Sequence, residues 1–214
     1  MKPINLITIV FLLCWIPFFH GQENLNVYKN NHSLTYERTI GLYQKLAEKH
    51  EAAVLLEMGK SDYGKPIHLF IIDPSKTFDP NKNDNKAVLL INNGIHPGEP
   101  CGIDASINFA NNLLTDPNFN QKMSNTVIGI IPIYNVGGAL NRGCCSRANQ
   151  NGPEEYGFRG NAKNLDLNRD FIKMDSKNAA AFTTIFHFLD PDILVDTHTS
   201  NGADYQYTMT LLST

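Results

Sequence analysis

The stretch AVLLINNGIHPGEP, residues 87–100, decides the fold because it joins a strand to a histidine and a glutamate. Residues 87–93 are apolar on both faces, which is typical of a central strand covered by helices on both sides. A Pro-Gly pair then separates His96 from Glu99 and favours a turn. The stretch therefore predicts a histidine and a carboxylate just past the carboxyl end of a central strand, where open α/β sheets place their ligands.

The rest of the chain alternates between helix-like and strand-like patterns. Ser33 can cap a helix that extends to about His50, and a strand hairpin is expected at residues 54–59 and 67–72. The apolar stripe of that helix comprises Ile40, Leu42, Tyr43, Leu46 and Ala47. Further helices are expected at 102–114 and 178–189, and further buried strands at 126–134 and 193–197. This alternation predicts an α/β fold with a mixed, largely parallel central sheet flanked by helices.

The start of the chain has the pattern of a targeting segment. Residues 1–21 have a short basic start at Lys2 and continue through an apolar run, which predicts a secretory signal peptide. A membrane anchor is the alternative, but Pro17 interrupts the run and no stop-transfer flank follows. We expect a linker at residues 22–32, one domain at residues 33–214, and secretion to the periplasm or the extracellular space.

Composition and charge exclude several classes of partner. With 42% hydrophobic and 18% charged residues, the 214-residue chain can bury one sizeable core. The formal net charge is -3 and no block of Lys or Arg occurs, which argues against nucleic acid and, after signal removal, against membrane as partners.

The cysteines say little about function. After signal removal, Cys101, Cys144 and Cys145 would remain. Because adjacent cysteines seldom pair with each other, we expect at most one ordinary disulfide bridge.

A second histidine occupies an equivalent position at the end of a strand. His198 follows the predicted strand at 193–197, so two strands can deliver His96, Glu99 and His198 to one sheet edge. Two imidazole nitrogens and a carboxylate that leave one position open are a ligand set for catalytic zinc. The alternative is an ordinary hydrogen-bonded pair of His96 and Glu99 near a turn.

The long segment at residues 135–171 has little hydrophobic periodicity, and loops of that length are usually functional or disordered. It ends in FRGNAKNLDLNRDF, residues 158–171, which concentrates Arg, Asn and Asp. Guanidinium and amide groups at the rim of a metal site can bind a substrate carboxylate. A solvated polar loop with Asx turns is the alternative interpretation.

Taken together, HPGEP, NLDLNRDF and DTHT, in this order and spacing, resemble the zinc carboxypeptidases. The resemblance extends from about residue 33 to residue 214, and GKSDYGKPI at residues 59–67 is similar to the early hairpin of that family. It implies a zinc carboxypeptidase-like fold, one zinc ion per chain, and hydrolysis of a peptide bond next to a free carboxylate. The implied substrate is the C-terminus of a peptide or protein.

The resemblance also assigns roles to single residues. The implied zinc ligands are His96, Glu99 and His198. Asn168 and Arg169 match the pair that grips the C-terminal carboxylate of the substrate, and Arg159 matches the arginine that polarises the scissile carbonyl. Asp166 matches the carboxylate that hydrogen-bonds the first zinc histidine. Asp196 shares a strand face with His198; we interpret it as structural, and a supporting hydrogen bond to that histidine is the alternative.

The sequence departs from the family pattern in two places. Gly98 stands where carboxypeptidase A-type members have an arginine, so digestive-enzyme specificity is not implied. Family members also use a glutamate well downstream of the third ligand as general base, whereas only a strand expected at residues 205–212 follows His198. The domain therefore resembles a catalytic domain that is incomplete at its C-terminus, and we expect weak zinc binding and little or no hydrolysis. Glu154 and Glu155 match no family base.

Two other functions remain open at this point. One is a non-catalytic binding module with the same fold, which requires no general base. The other is a zinc acylase or amidase of the aspartoacylase type, which shares the ligand pattern but acts on N-acyl amino acids.

Overall fold

The computed structural model describes residues 31–79, 86–148 and 150–200. The predicted signal peptide, residues 22–30 of the linker and the strand expected at residues 205–212 lie outside these ranges. No helix within the described ranges is long and apolar enough to cross a membrane.

Helices and strands alternate along the described chain. The α-helices are α1 (Tyr36–Lys49), α2 (Cys101–Leu114), α3 (Phe119–Lys122), α4 (Val136–Leu140) and α5 (Lys177–Leu189). The strands are β1 (Ala53–Lys60), β2 (Pro66–Ile72), β3 (Ala87–Asn92), β4 (Thr126–Ile131) and β5 (Ile193–Asp196). A short 3₁₀-helix, Leu167–Arg169, lies in the long segment that precedes α5.

The five strands form one mixed sheet in the order β1-β2-β4-β3-β5. β2 pairs antiparallel with β1, as the predicted hairpin requires, and antiparallel with β4. β3 pairs parallel with both β4 and β5. The predicted mixed α/β sheet with flanking helices is confirmed, and its parallel half brings the carboxyl ends of β3 and β5 to the same edge.

The sheet separates two apolar layers. Leu69 and Ile71 of β2 belong to the layer that includes α5, whereas Phe70 and Ile72 belong to the layer beneath α1 and α2. This alternation follows the two-residue period of a strand. The predicted stripe of α1 is confirmed, and its fully buried members are Leu42, Tyr43 and Leu46. Each such buried Leu or Ile side chain stabilises the fold by about 1.5–3 kcal/mol.

The beginning of α1 differs from the prediction. Its N-cap is Thr35, whose side chain accepts a hydrogen bond from the backbone N–H of Arg38 at 3.2 Å. The prediction of a Ser33 cap is therefore wrong. Oγ of Ser33 instead donates to the carbonyl of Glu155 at 2.8 Å, because the chain ahead of the helix packs against the long loop.

β5 is less buried than its composition suggests. Ile193, Leu194 and Val195 are 59%, 42% and 42% exposed, so the expectation of a buried strand is wrong. Among the described strands, β5 pairs only with β3 and lies at the end of the sheet order. An apolar run indicates a strand, but it does not reveal whether that strand lies inside the sheet or at its edge.

The cysteines also differ from the expectation. Cys144 and Cys145 are joined by a disulfide, although adjacent cysteines seldom pair. Cys145 adopts a φ of 70°, in the left-handed region that non-glycine residues rarely use. Cys101 is a free, exposed thiol at the start of α2.

Candidate metal centre

The turn after β3 brings His96 and Glu99 together. The backbone N–H of Glu99 donates to the carbonyl of His96 at 2.9 Å, which closes the turn around Pro97 and Gly98. Gly94, with a φ of 68°, precedes the turn in a conformation that favours glycine. Both functional side chains are 3% exposed, and Nδ1 of His96 lies 3.2 Å from Oε1 of Glu99.

β5 delivers His198 to the same edge of the sheet. Asn92 faces Asp196 across the β3–β5 pair, and Nδ2 of Asn92 donates to Oδ1 of Asp196 at 2.9 Å. The backbone N–H of Thr197 extends the pairing by donating to the carbonyl of Asn92 at 3.0 Å. His198 follows, and its Nδ1 lies 2.9 Å from Oε2 of Glu99.

The three predicted ligands form one cluster. His96, Glu99 and His198 each offer a ligand atom, and these atoms all lie within 4.8 Å of one another. Two imidazoles and a carboxylate suit zinc, and three protein ligands leave a fourth position for water. The donor set that the structure brings together therefore fits a zinc ion.

In each histidine, the ring nitrogen that faces away from Glu99 is hydrogen-bonded to an aspartate. Nε2 of His96 donates to Oδ1 of Asp166 at 3.0 Å, and Nε2 of His198 donates to Oδ2 of Asp196 at 3.0 Å. Ionised carboxylates only accept hydrogen bonds, so they keep a hydrogen on each Nε2 and direct each Nδ1 toward Glu99. Hydrogen bonds to Asp196 and Glu99 raise the pKa of His198 to about 9, so without a metal this ring is cationic at neutral pH.

The Glu99 carboxylate is surrounded by donors. Burial alone would raise the pKa of Glu99, but hydrogen bonds from His198 and His96 and the charge of Arg147 hold it well below its ordinary range. The backbone N–H of Thr199 donates to Oε2 at 2.9 Å, and Nη1 of Arg147 lies 2.8 Å from Oε1. Glu99 is therefore ionised, as a metal ligand must be.

The other predicted site residues lie around Asp166. Nε and Nη2 of Arg159 donate to Oδ2 of Asp166 at 3.1 and 2.9 Å, and Nη1 of Arg159 lies 3.5 Å from Nδ1 of His96. The backbone N–H of Asn168 donates to Oδ1 of Asp166 at 3.0 Å. Arg169 is exposed, and its Nη1 donates to the carbonyl of Asn168 at 2.9 Å. The Asp166 carboxylate thus connects His96 to Arg159 and to the backbone of Asn168, whereas the Arg169 side chain contacts only Asn168 in this group.

The two glutamates of the long loop contact other partners. Oε2 of Glu154 lies 3.8 Å from Nε2 of His32, and Oε2 of Glu155 lies 4.0 Å from Nε of Arg142. Both glutamate side chains are largely exposed. We therefore assign neither glutamate a role in the metal centre.

Sequence reasoning missed two residues of the site, Arg147 and Asn93. Arg147 gave no signal, because its approach to Glu99 depends on the path of a long loop. Asp196 was interpreted as structural, and the structure instead supports the alternative, a hydrogen bond to His198 on the same strand face. Asn93 joins neighbouring elements, since its Oδ1 accepts from Oγ of Ser106 at 3.1 Å and from Oγ1 of Thr197 at 3.0 Å.

Comparison with known families agrees with this geometry. Residues 40–188 match the sequence model of the zinc carboxypeptidases, so the chain belongs to the zinc carboxypeptidase family. The matched range includes His96, Glu99, Arg159 and Asp166 and ends before His198. No curated protein sequence matches the chain.

Solved structures of metallocarboxypeptidases share the fold. A metallo-carboxypeptidase from Burkholderia cenocepacia is 19% identical with a TM-score of 0.63 over 80% of this chain and 43% of its own. The carboxypeptidase A of Helicoverpa armigera is 18% identical with a TM-score of 0.61 over 78% of this chain and 46% of its own. A Pseudomonas aeruginosa metallo-carboxypeptidase in complex with (2-guanidinoethylmercapto)succinic acid is 19% identical with a TM-score of 0.58, over 79% and 41% respectively. The chain thus spans less than half the length of these three proteins.

Proposed function

We propose that this chain forms the metal-binding part of a secreted zinc metallocarboxypeptidase, which hydrolyses the peptide bond next to a free C-terminal carboxylate. One observation carries the proposal. The Nδ1 atoms of His96 and His198 converge on Glu99, while aspartates hold both Nε2 atoms. Secretion rests on the sequence pattern of residues 1–21.

His96, Glu99 and His198 would hold one zinc ion, which when bound polarises the substrate carbonyl and lowers the pKa of a water molecule. Asp166 and Asp196 keep the imidazole rings oriented, so the ligand atoms do not have to reorganise when the metal arrives. Because Glu99 is 3% exposed, the surrounding protein also limits competition from bulk water.

Arg159 is the residue that we assign to stabilise the oxyanion. Asp166 holds its Nε and Nη2, and its Nη1 lies 3.5 Å from Nδ1 of His96. This arrangement fixes a guanidinium N–H beside the ligand cluster, where negative charge develops on the carbonyl oxygen. A fixed donor at such a point stabilises the transition state more than the ground state.

Asn168 and Arg169 are the residues that we assign to the C-terminal carboxylate of the substrate. Both follow Asp166 in the 3₁₀-helix, so they lie next to the residue that holds His96. The planar guanidinium of arginine binds a carboxylate through two parallel hydrogen bonds. An exposed guanidinium at Arg169 is accessible to a substrate that enters from solvent.

The general base is not assigned to a residue of this chain. The family resemblance implies a glutamate well downstream of His198, and residues 199–214 contain no glutamate.

Native mass spectrometry of the chain with added zinc tests the proposal. We expect one zinc per wild-type chain, loss of zinc in His198→Ala, and retention of zinc in His187→Ala, which removes an exposed histidine from α5. A folded wild-type chain that binds no zinc would refute the metal centre. Calorimetric binding of a free peptide, its C-terminal amide and an N-acyl amino acid to the zinc-loaded chain then separates a carboxypeptidase site from an acylase site.

A further inference from the structure

A cavity of about 720 Å³ lies beside the metal cluster. Its walls come from the turn after β3, the start of α2, the loop formed by residues 146–148, 150, 152 and 153, Arg159, and residues 199 and 200 after β5. The charged side chains that line it are Asp104, Arg147 and Arg159. Asn168 and Arg169, to which we assign the C-terminal carboxylate, are not among its lining residues. The cavity is therefore distinct from the position of Asn168 and Arg169, although Arg159 borders it.

Arg147 is held in a defined position at the boundary between this cavity and the metal ligands. Its side chain is 13% exposed, and its Nη1 lies 2.8 Å from Oε1 of Glu99. Its Nε donates to Oε1 of Gln150 at 2.9 Å, and its backbone N–H donates to the hydroxyl of Tyr156 at 3.1 Å. Gln150 is anchored in turn, because its Nε2 donates to the carbonyl of Gly98 at 2.9 Å.

The charges around the cavity favour an anionic ligand once a divalent ion is bound to the cluster. Arg147 and Arg159 contribute two guanidinium groups, and Asp104 contributes one carboxyl group. Arg147 is already paired with Glu99 and Arg159 with Asp166, so without a metal ion both guanidinium charges are compensated. Burial raises the pKa of Asp104 to about 7, so at neutral pH this group opposes an anion only in part. A divalent ion on Glu99 would offset the negative charge that Arg147 now faces, which makes a second carboxylate a favourable partner for the guanidinium.

We propose that the cavity binds an acidic side chain of the substrate and that Arg147 is the residue that selects it. This inference rests on the proposed function, because it names the class of substrate for the same site. A glutamate or aspartate side chain in the cavity would meet the guanidinium close to the metal ligands. The recognition would be separate from the binding of the C-terminal carboxylate by Asn168 and Arg169.

Two blocked peptides, Ac-Ala-Glu-Ala-NH₂ and Ac-Ala-Gln-Ala-NH₂, test the inference by calorimetry on the full chain with zinc. Their termini are blocked, so only the side-chain charge differs. We expect the Glu peptide to bind about tenfold more tightly, since a hydrogen bond to a charged group is worth more than one between neutral groups. We also expect it to slow the alkylation of Cys101, which lines the cavity and is a free thiol, as read by peptide mapping.

Variants of Arg147 separate selection from folding. Arg147→Gln should abolish the preference for the Glu peptide, and Arg147→Lys should keep part of it because the charge remains. Lys45→Gln, an exposed position on α1, removes the same charge elsewhere and should leave the preference unchanged. Circular dichroism checks that each variant folds. If Arg147→Gln does not fold, the inference is tested instead by whether the Glu peptide slows the alkylation of Cys101 in the wild type.

Several results would overturn the inference. The inference fails if the wild type binds both peptides equally or binds neither of them. It also fails if the Glu peptide leaves the alkylation rate of Cys101 unchanged, or if folded Arg147→Gln still binds the Glu peptide more tightly than the Gln peptide. Zinc is counted on the same samples by native mass spectrometry. Zinc bound without a Glu preference refutes the acidic subsite alone, whereas a Glu preference without zinc supports the subsite and refutes the proposed function.

Discussion

Nε2 of His198 lies 3.0 Å from Oδ2 of Asp196, and the other oxygen of this aspartate accepts a hydrogen bond from Asn92. Asp196 therefore connects the β3–β5 pairing directly to the orientation of the imidazole ring. Asp166 holds His96 in the same way from a different segment of the chain. Both rings turn Nδ1 toward Glu99 because of these carboxylates, so we expect the affinity for zinc to depend on residues that need not touch the metal.

Asp196→Asn should weaken zinc binding by about 10- to 100-fold, the usual effect of removing a carboxylate behind a metal-bound histidine. The amide keeps the size of the side chain but loses the charge that holds the Nε2 hydrogen. Competition with a chelator of known affinity measures the change. Asp175→Asn, an exposed aspartate paired with Lys173 on the surface, is the matched control and should leave the zinc affinity unchanged.

Gly102→Ala should damage the metal centre through packing. A Cβ atom at this position of α2 would overlap Oγ1 and Cβ of Thr197, the residue before His198. We expect a loss of about 1–3 kcal/mol in the free energy of unfolding, as for overpacked cores, together with weaker zinc binding. Urea denaturation and chelator competition measure the two effects.

The matched control is Gly41→Ala in α1. Among the described residues, a Cβ atom at Gly41 would meet no heavy atom within 4 Å beyond its chain neighbours and the backbone of its own helix. Alanine should stabilise the helix interior by about 0.5–1 kcal/mol and leave zinc affinity unchanged. If both glycine variants bound zinc like the wild type, the packing of α2 on Thr197 would not be what positions His198.

Gly98→Arg, which introduces the residue of carboxypeptidase A-type members, should destabilise this chain by about 1–3 kcal/mol. A Cβ atom at Gly98 would lie 2.9 Å from the carbonyl oxygen of Gly157 and 3.0 Å from Cδ of Arg147. The backbone oxygen cannot move aside as a flexible side chain can. A thermal or urea melt that matches the wild type would show that the long loop can shift to make room for the new side chain.

Much of the site could be predicted because its ligands are tied to local patterns. His96, Glu99 and His198 each follow an apolar run at the end of a strand, and parallel strands bring such positions together. The hairpin of β1 and β2 and the apolar stripe of α1 were likewise predictable from residue periodicity.

The remainder depends on tertiary structure that no local pattern encodes. Arg147 reaches Glu99 only because the described residues 141–148 and 150–157 fold back over the turn after β3. The exposure of β5 depends on which strands lie beside it, and its apolar residues carry no information about neighbours. The N-cap at Thr35 was missed because Ser33 is an equally good capping residue by type.

Asp104→Asn should change stability in a way that depends on pH. Asp104 is 8% exposed, and burial raises its pKa to about 7. The ordinary pKa of an aspartate is about 3.9, so the folded state holds this proton more tightly than the unfolded chain. The associated stability is fully present below about pH 4 and is lost as pH rises through about 7. The asparagine cannot ionise and avoids that loss.

We therefore expect Asp104→Asn to be about 2–4 kcal/mol more stable than the wild type at pH 8, and close to it at pH 4.5. Urea denaturation of both chains at the two pH values, with a chelator present to remove metal, measures the difference. Arg142 opposes the shift, since its charge lowers the pKa of Asp104, so Arg142→Gln should enlarge the difference at pH 8. Asp175→Asn controls for the loss of one surface charge. The same stability difference at both pH values would show that Asp104 does not ionise within this range in the folded chain.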